Sequence, residues 1–94
     1  MTRTEILATA EKMVNGDRQT DYGTPENNFQ TIASLWDIYL STMTNRLTGK
    51  DVAAMLALLK IARIASGHAK PDNWIDLAGY AACGGEIEGV GDKC

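Results

Sequence analysis

The sequence predicts an all-α domain, a four-helix bundle-like unit built around a central apolar third helix. Three observations predict it. Apolar residues recur every three to four positions in four segments. No stretch alternates apolar and polar residues with the period of a strand. Between the segments stand the residues that start and stop helices.

The first helix opens at Thr2-Arg3-Thr4-Glu5, where Thr2 and Glu5 have capping-box spacing. Ile6, Leu7, Ala10, Met13 and Val14 then share one face, and Asn15-Gly16 ends it. A polar loop from Asp17 to Gly23 follows. Thr24-Pro25 reads as an N-cap with proline at the first helical position. The second helix is expected from Pro25 to about Leu47, with a stripe of Phe29, Ile32, Trp36, Tyr39 or Leu40, Met43 and Leu47. Thr48 and Asp51, again in box spacing, cap the third helix. Its residues from Val52 to Ala65 are apolar nearly all round, which places it centrally. Ser66-Gly67 closes it. Pro71-Asp72 opens a fourth helix through about Glu86, and the glycine-rich stretch from Gly84 onward is expected to fray.

A chain of 94 residues admits one domain, taken as residues 1–88 with 89–94 as a flexible C-terminal tail. Three partners hardly shield an apolar helix on every side, so a homo-oligomer is expected. Nine Lys and Arg against twelve Asp and Glu argue against a broad nucleic-acid-binding face. They leave room for a small basic pocket. The longest uninterrupted apolar run, Val52 to Leu59, is eight residues, far short of a membrane span. Glu5 stands where a secretory leader would carry its apolar stretch, so a cytoplasmic chain is expected. Cys83 and Cys94 are too few for a disulfide framework and lack metal-ligand spacing.

Chemistry concentrates in three places. Lys60 and Arg63 lie three apart on a helix otherwise made of Leu, Ile, Met and Ala. Cations so placed need partners, because an unpaired buried charge costs several kcal/mol. Asp72 and Asp76, one turn apart at the start of the fourth helix, are the natural ones. Two such carboxylates can hold Mg²⁺, or they can complete a structural salt-bridge lattice. The loop adds Arg18, Asp21 and Tyr22, with Glu26 and Asn28 just beyond. An arginine and an aromatic side chain suit a phosphate and a base, and a turn-forming loop explains the same residues. His68 reads as a helix-end residue. No histidine is placed to activate Ser41 or the cysteines. The glycines from Gly84 onward follow a helix rather than preceding one, so they form no phosphate loop.

Asp17 to Phe29, Leu35-Trp36, Lys60-Ile61-Ala62-Arg63 and Asp72 to Tyr80 together resemble a family of short phage and prophage proteins of unassigned function. The order Lys-x-x-Arg, then Asp-x-x-x-Asp-x-Ala-Gly-Tyr, carries most of the resemblance. A similar order occurs in a nucleotide-modification-associated phage family. More remotely, the arrangement looks like the all-α, MazG-like nucleoside triphosphate pyrophosphohydrolases. That resemblance implies helix-borne acids on Mg²⁺ and water attack on the α–β phosphate linkage. Asn73 and Asp76 fall on that group's Glu-x-x-Asp spacing, with asparagine in the glutamate's place, and Glu26 stands for one upstream acid.

Three function classes follow. A Mg²⁺-dependent nucleotide hydrolase would use Asp76 and Lys60 as catalytic residues and Glu26, Asp72 and Asp76 as metal ligands. Arg18, Asp21, Tyr22, Lys60, Arg63 and Tyr80 would bind its substrate. A non-catalytic protein that sequesters or senses a nucleotide, as in anti-defence, would need only the cations and aromatics. A helical inhibitor of a host protein would need neither.

Overall fold

The computed structural model describes residues 1–17, 25–67 and 70–89, with side chains left aside at 17 and 25–27. The fold class is all-α: four helices, and no strand among the described residues. They are α1 (Arg3–Lys12), α2 (Pro25–Ser41), α3 (Gly49–Ala65) and α4 (Pro71–Glu88).

α1 starts with Thr2 as its N-cap, and of the expected capping box only the bond from the Glu5 N–H to the Thr2 side chain is formed. The Glu5 N–H donates to Thr2 Oγ1 at 3.2 Å, and the Thr2 hydroxyl donates to Glu5 Oε1 at 3.1 Å. Its winding continues beyond Lys12 as a π-helical turn, Met13–Asp17. Every residue of α1 is exposed, and its extensive contacts are confined to the π-helical turn that follows it. The described side chains from α1 therefore contribute nothing to the core formed by α2, α3 and α4.

α2 is shorter than its apolar stripe suggests, ending at Ser41 instead of about Leu47. The run Ser41-Thr42-Met43-Thr44-Asn45 explains the difference. Ser41 Oγ donates to the Ile38 carbonyl at 2.7 Å and Thr42 Oγ1 to the Tyr39 carbonyl at 2.8 Å. Hydroxyls that bond nearby carbonyls offer the backbone an alternative to helix. The last turn then tightens through Thr42 N–H to Tyr39 O and Met43 N–H to Leu40 O. Of the stripe, Ile32 is buried and Trp36, Tyr39 and Met43 are half-buried, whereas Phe29, Leu40 and Leu47 are exposed.

α3 packs on both α2 and α4, as expected of a central helix. Its α2 side is pinned by Trp36 Nε1, which donates to the Met55 carbonyl at 2.8 Å, and by Tyr39 Oη on Asp51 Oδ1 at 2.5 Å. Later residues of α2 meet earlier residues of α3, so the two run antiparallel. α4 is antiparallel to α3 by the same reasoning. Lys60 meets Asp76, Ala53 meets Gly84, and Gly49 meets Ile87.

The C-terminal end also differs from expectation. Gly84 and Gly85 lie inside α4, which runs to Glu88 and stops at Gly89 in the left-handed conformation, φ 78°. Gly84 stays helical because its bare backbone lets α4 approach α3: an added Cβ would lie 3.1 Å from Ala53 Cβ. Residues 90–94 of the expected tail lie outside the described residues. Ser66 and Gly67 close α3 as expected, with Gly67 at φ 96° and its N–H on the Ile64 carbonyl.

Gly84→Val should overpack this contact and cost about 1–3 kcal/mol in a urea unfolding titration. An added Cβ at Gly79 meets nothing within 4 Å. Gly79→Ala, in the same helix, should therefore stabilise by about 0.5–1 kcal/mol. Equal effects from the two variants would show that the close approach at Gly84 carries no weight.

Candidate functional site

The antiparallel register brings the start of α2, the end of α3 and the start of α4 to one end of the three-helix unit. Continuing two turns back from the Trp36–Met55 contact brings Asn28 level with Ala62 and Arg63. Continuing one turn from the Lys60–Asp76 contact brings Asn73 level with Arg63 from the other side. Five polar residues thus gather at this end: Asn28, Lys60, Arg63, Asn73 and Asp76.

Lys60 is buried on an apolar helix, and its Nζ lies 2.9 Å from Asp76 Oδ2. Asp76 is the outer member of the pair, with 45% of its side chain exposed against 10% for Lys60. Water therefore reaches the carboxylate side. Arg63 is half-buried one turn further along the same helix. Asn73 is the most enclosed side chain described, 1% exposed, and neither its Oδ1 nor its Nδ2 has a hydrogen-bond partner among the described residues. Asn28 Oδ1 is buried in the same condition. An unpaired buried amide group costs about 1–3 kcal/mol, which a bound polar ligand or water would recover.

The remaining expected residues divide. Asp72 is exposed on the same flank of α4 as Asp76. Tyr80, one turn beyond Asp76, is half-buried and lines a groove of about 330 Å³ between α3 and α4. Alanines 53, 54 and 57 and Gly84 contribute to its lining, and Tyr39, Lys50 and Glu88 stand at its far end. Arg18, Asp21 and Tyr22 lie outside the described residues, as does the side chain of Glu26. Among the described residues, no three His, Cys, Asp or Glu side chains come together to hold a metal ion. Lys60 Nζ takes up one oxygen of Asp76, Oδ2.

A second polar network lies at the opposite end, where the sequence suggests only a cap. Asp51 is buried, 4% exposed. Its Oδ2 accepts from Thr48 N–H at 2.8 Å and Thr48 Oγ1 at 2.9 Å, and its Oδ1 accepts from Tyr39 Oη. Lys50 Nζ stands 3.7 Å from Asp51 and 3.6 Å from Glu88. The Tyr39 hydrogen bond, followed by those from Thr48, lowers the Asp51 carboxyl to about 2. The same bond raises the Tyr39 phenol above its ordinary value. The available signal was a tyrosine on the α2 stripe together with the acid of a capping box.

Residues 5–88 match a family described as a domain of unknown function, DUF6378. The chain belongs to that family. Over 76 residues, 81% of its length, it is 45% identical to the gene 55 protein of Mycobacterium phage L5. Over 78 residues, 83% of its length, it is 38% identical to the gene 55 protein of Mycobacterium phage D29. It spans about half the length of these two relatives, 47% and 50%. No solved structure matches it. The expected membership of a phage protein family of unassigned function is therefore met. No helix among the described residues is long and apolar enough to cross a membrane.

Two predictions follow from this geometry. Asp51 has a folded-state pKa below its unfolded one, so its contribution is complete above about pH 4 and disappears as pH falls toward about 2. Thermal melts should show a shallower acid limb for Asp51→Asn, and Tyr39→Phe should move the wild-type acid loss to higher pH. At the other end, Asp76→Ala strands the Lys60 ammonium and should cost about 1–3 kcal/mol after allowance for the exposed carboxylate. Lys60→Met leaves a carboxylate that water can solvate and should change stability by less than about 1 kcal/mol. The reverse order in chemical denaturation would remove the pairing argument.

Proposed function

We propose that this chain binds a nucleoside phosphate at the end of the three-helix unit where Lys60, Arg63, Asn73 and Asp76 meet. The observation that carries the reading is a buried amide without a partner among the described residues, Asn73, level with two cations on a neighbouring apolar helix. A phosphate oxygen accepts from ammonium and guanidinium groups, and charge-assisted bonds of this kind are roughly twice as strong as neutral ones. The Asn73 amide adds N–H donors for the phosphate and a carbonyl acceptor, which a purely cationic site lacks. Tyr80, one turn along the groove, offers a ring for the base or ribose. Arg18, Asp21 and Tyr22 immediately precede α2, whose first turn belongs to this end, and they are assigned to the same ligand.

In this reading Asp76 holds Lys60 in place until the ligand arrives, and Lys60 neutralises a phosphate. The site acts on small molecules in the host cytoplasm, and the resemblance to MazG-like enzymes supports a nucleotide as its ligand class. Asp72 and Asp76 by themselves do not complete a Mg²⁺ shell. With Glu26 and substrate oxygens they would provide the ligands of the hydrolytic version, which is the second reading. The spacing of Asp72 and Asp76, one turn apart on one flank, favours it.

Purified protein should be incubated with Mg²⁺ and a pool of common, cyclic and modified nucleotides, and the free and bound fractions analysed by mass spectrometry. The expected result is an unconsumed nucleotide in the bound fraction, with occupancy reduced about tenfold or more by Lys60→Met. Loss of a triphosphate with gain of the matching monophosphate would establish the hydrolytic version. An untouched pool with empty protein would overturn both, leaving a host protein as the target.

A further inference from the structure

Resting on the nucleotide-binding reading above, we infer that Lys50 and Glu88 read the base of the ligand and select guanine. The register of α3 on α4 lays out one continuous site. On α3, Lys50, Ala53, Ala57 and Lys60 follow at intervals of three and four, so they share a face. On α4, Asp76, Tyr80, Gly84 and Glu88 follow at intervals of four. Lys60 pairs with Asp76 at one end of these two rows, and Lys50 pairs with Glu88 at the other. The groove of about 330 Å³ lies along the rows, lined by Tyr80 towards the first pair and by Lys50 and Glu88 themselves at the second. Small-molecule sites have volumes of about 300–1,000 Å³, so the groove is large enough for one.

Length decides how a nucleotide lies. Lys50 and Lys60 are separated by about 15 Å of helix. An extended nucleotide carries its phosphates and the hydrogen-bonding edge of its base at opposite ends. Phosphates on Lys60 therefore direct the base towards Lys50 and Glu88. Between the two pairs, alanines and Gly84 leave the room that a flat ring needs. Tyr39 closes the far end, its ring held by the hydroxyl's bond to Asp51.

The far pair decides which base fits. Lys50 Nζ stands 3.6 Å from Glu88 Oε2, and the two side chains are 47% and 50% exposed. A pair so exposed contributes little to stability, so a ligand opens it at small cost. An ammonium only donates hydrogen bonds, and a carboxylate only accepts them. Guanine answers both. Its O6 accepts from Lys50, while its N1–H and its N2 amino group donate side by side to the two oxygens of Glu88, as charge-assisted bonds. Adenine presents an amino group to the ammonium in the place of O6. Uracil and cytosine offer the carboxylate no pair of parallel donors.

The test is calorimetric titration of the full chain with GTP, ITP, ATP and inorganic triphosphate, with a chelator present to prevent hydrolysis. ITP is GTP without the N2 amino group. GTP is expected to bind about tenfold more tightly than ITP, the effect of one charge-assisted hydrogen bond, and ATP more weakly than either. Glu88→Gln has a single acceptor oxygen and should bring the ratio of GTP to ITP affinity close to one. If Glu88→Gln does not fold, the comparison of GTP with ITP on the wild type still decides. Equal affinities for GTP, ITP and ATP, or a preference for ATP, overturn the assignment of the base and leave the phosphate site in place. A GTP to ITP ratio that survives in Glu88→Gln removes Glu88 from the role. Failure of all four probes to bind, inorganic triphosphate included, overturns the nucleotide-binding reading and this assignment with it.

Discussion

α3 and α4 approach closely because Gly84 has no side chain where Ala53 needs the space, and the ion pairs between these two helices depend on the register this contact sets. One end of the seam holds Lys60 against Asp76, and the other carries Lys50 beside Glu88. A one-turn shift of α4 in one direction would put Tyr80 opposite Lys60 and bury the ammonium without a carboxylate, whereas the opposite shift would bring Asp72. The cost of that unpaired charge, several kcal/mol, makes the ion pair a check on register more than a source of net stability.

The distribution of polarity in this chain is unusual for a globular domain. Among the described residues, Asp51, Lys60 and Asn73 are buried alongside Ile32 and Ala62, while Trp74, Ile75, Phe29 and Ile38 are largely exposed. Ordinary folding hides apolar surface and hydrates charge. Polar groups held inside are stable only with partners, and Asp51 has four donors or cations around it while Asn73 has none among the described residues. That contrast separates a satisfied network at one end from buried polar groups without partners among the described residues at the other. The exposed apolar side chains present the complementary problem.

Membership of a family of unknown function leaves the activity to be argued from the site itself, because a helical fold hosts many chemistries. Among the described residues, one oxygen of Asp76 already faces an ammonium. A hydrolase on this scaffold would have to recruit Glu26 and the ligand's own oxygens. Binding alone requires only groups already assembled.

The number of helices, their class and most of their ends are readable from local pattern. Thr2 with Glu5, Thr48 with Asp51, Pro25, Pro71 and Ser66-Gly67 act within a turn or two of themselves, so their neighbours in sequence suffice to interpret them. The likelihood of a Lys60–Asp76 pairing follows from a buried cation near a helix-borne acid. The early end of α2 is less legible, because apolar periodicity continues through residues whose hydroxyls are bonding the backbone. Gly84 and Gly85 look like a fraying tail until α3 is placed against them, and Asn73 looks like a weakened acid until its burial is seen. Tyr39 on Asp51 and the level of Asn28, Arg63 and Asn73 likewise emerge only from helix pairing. Periodicity specifies which residues share a face of one helix. Burial, unmet hydrogen bonds and exposed apolar area belong to pairs of helices, and they exist only once the helices have docked.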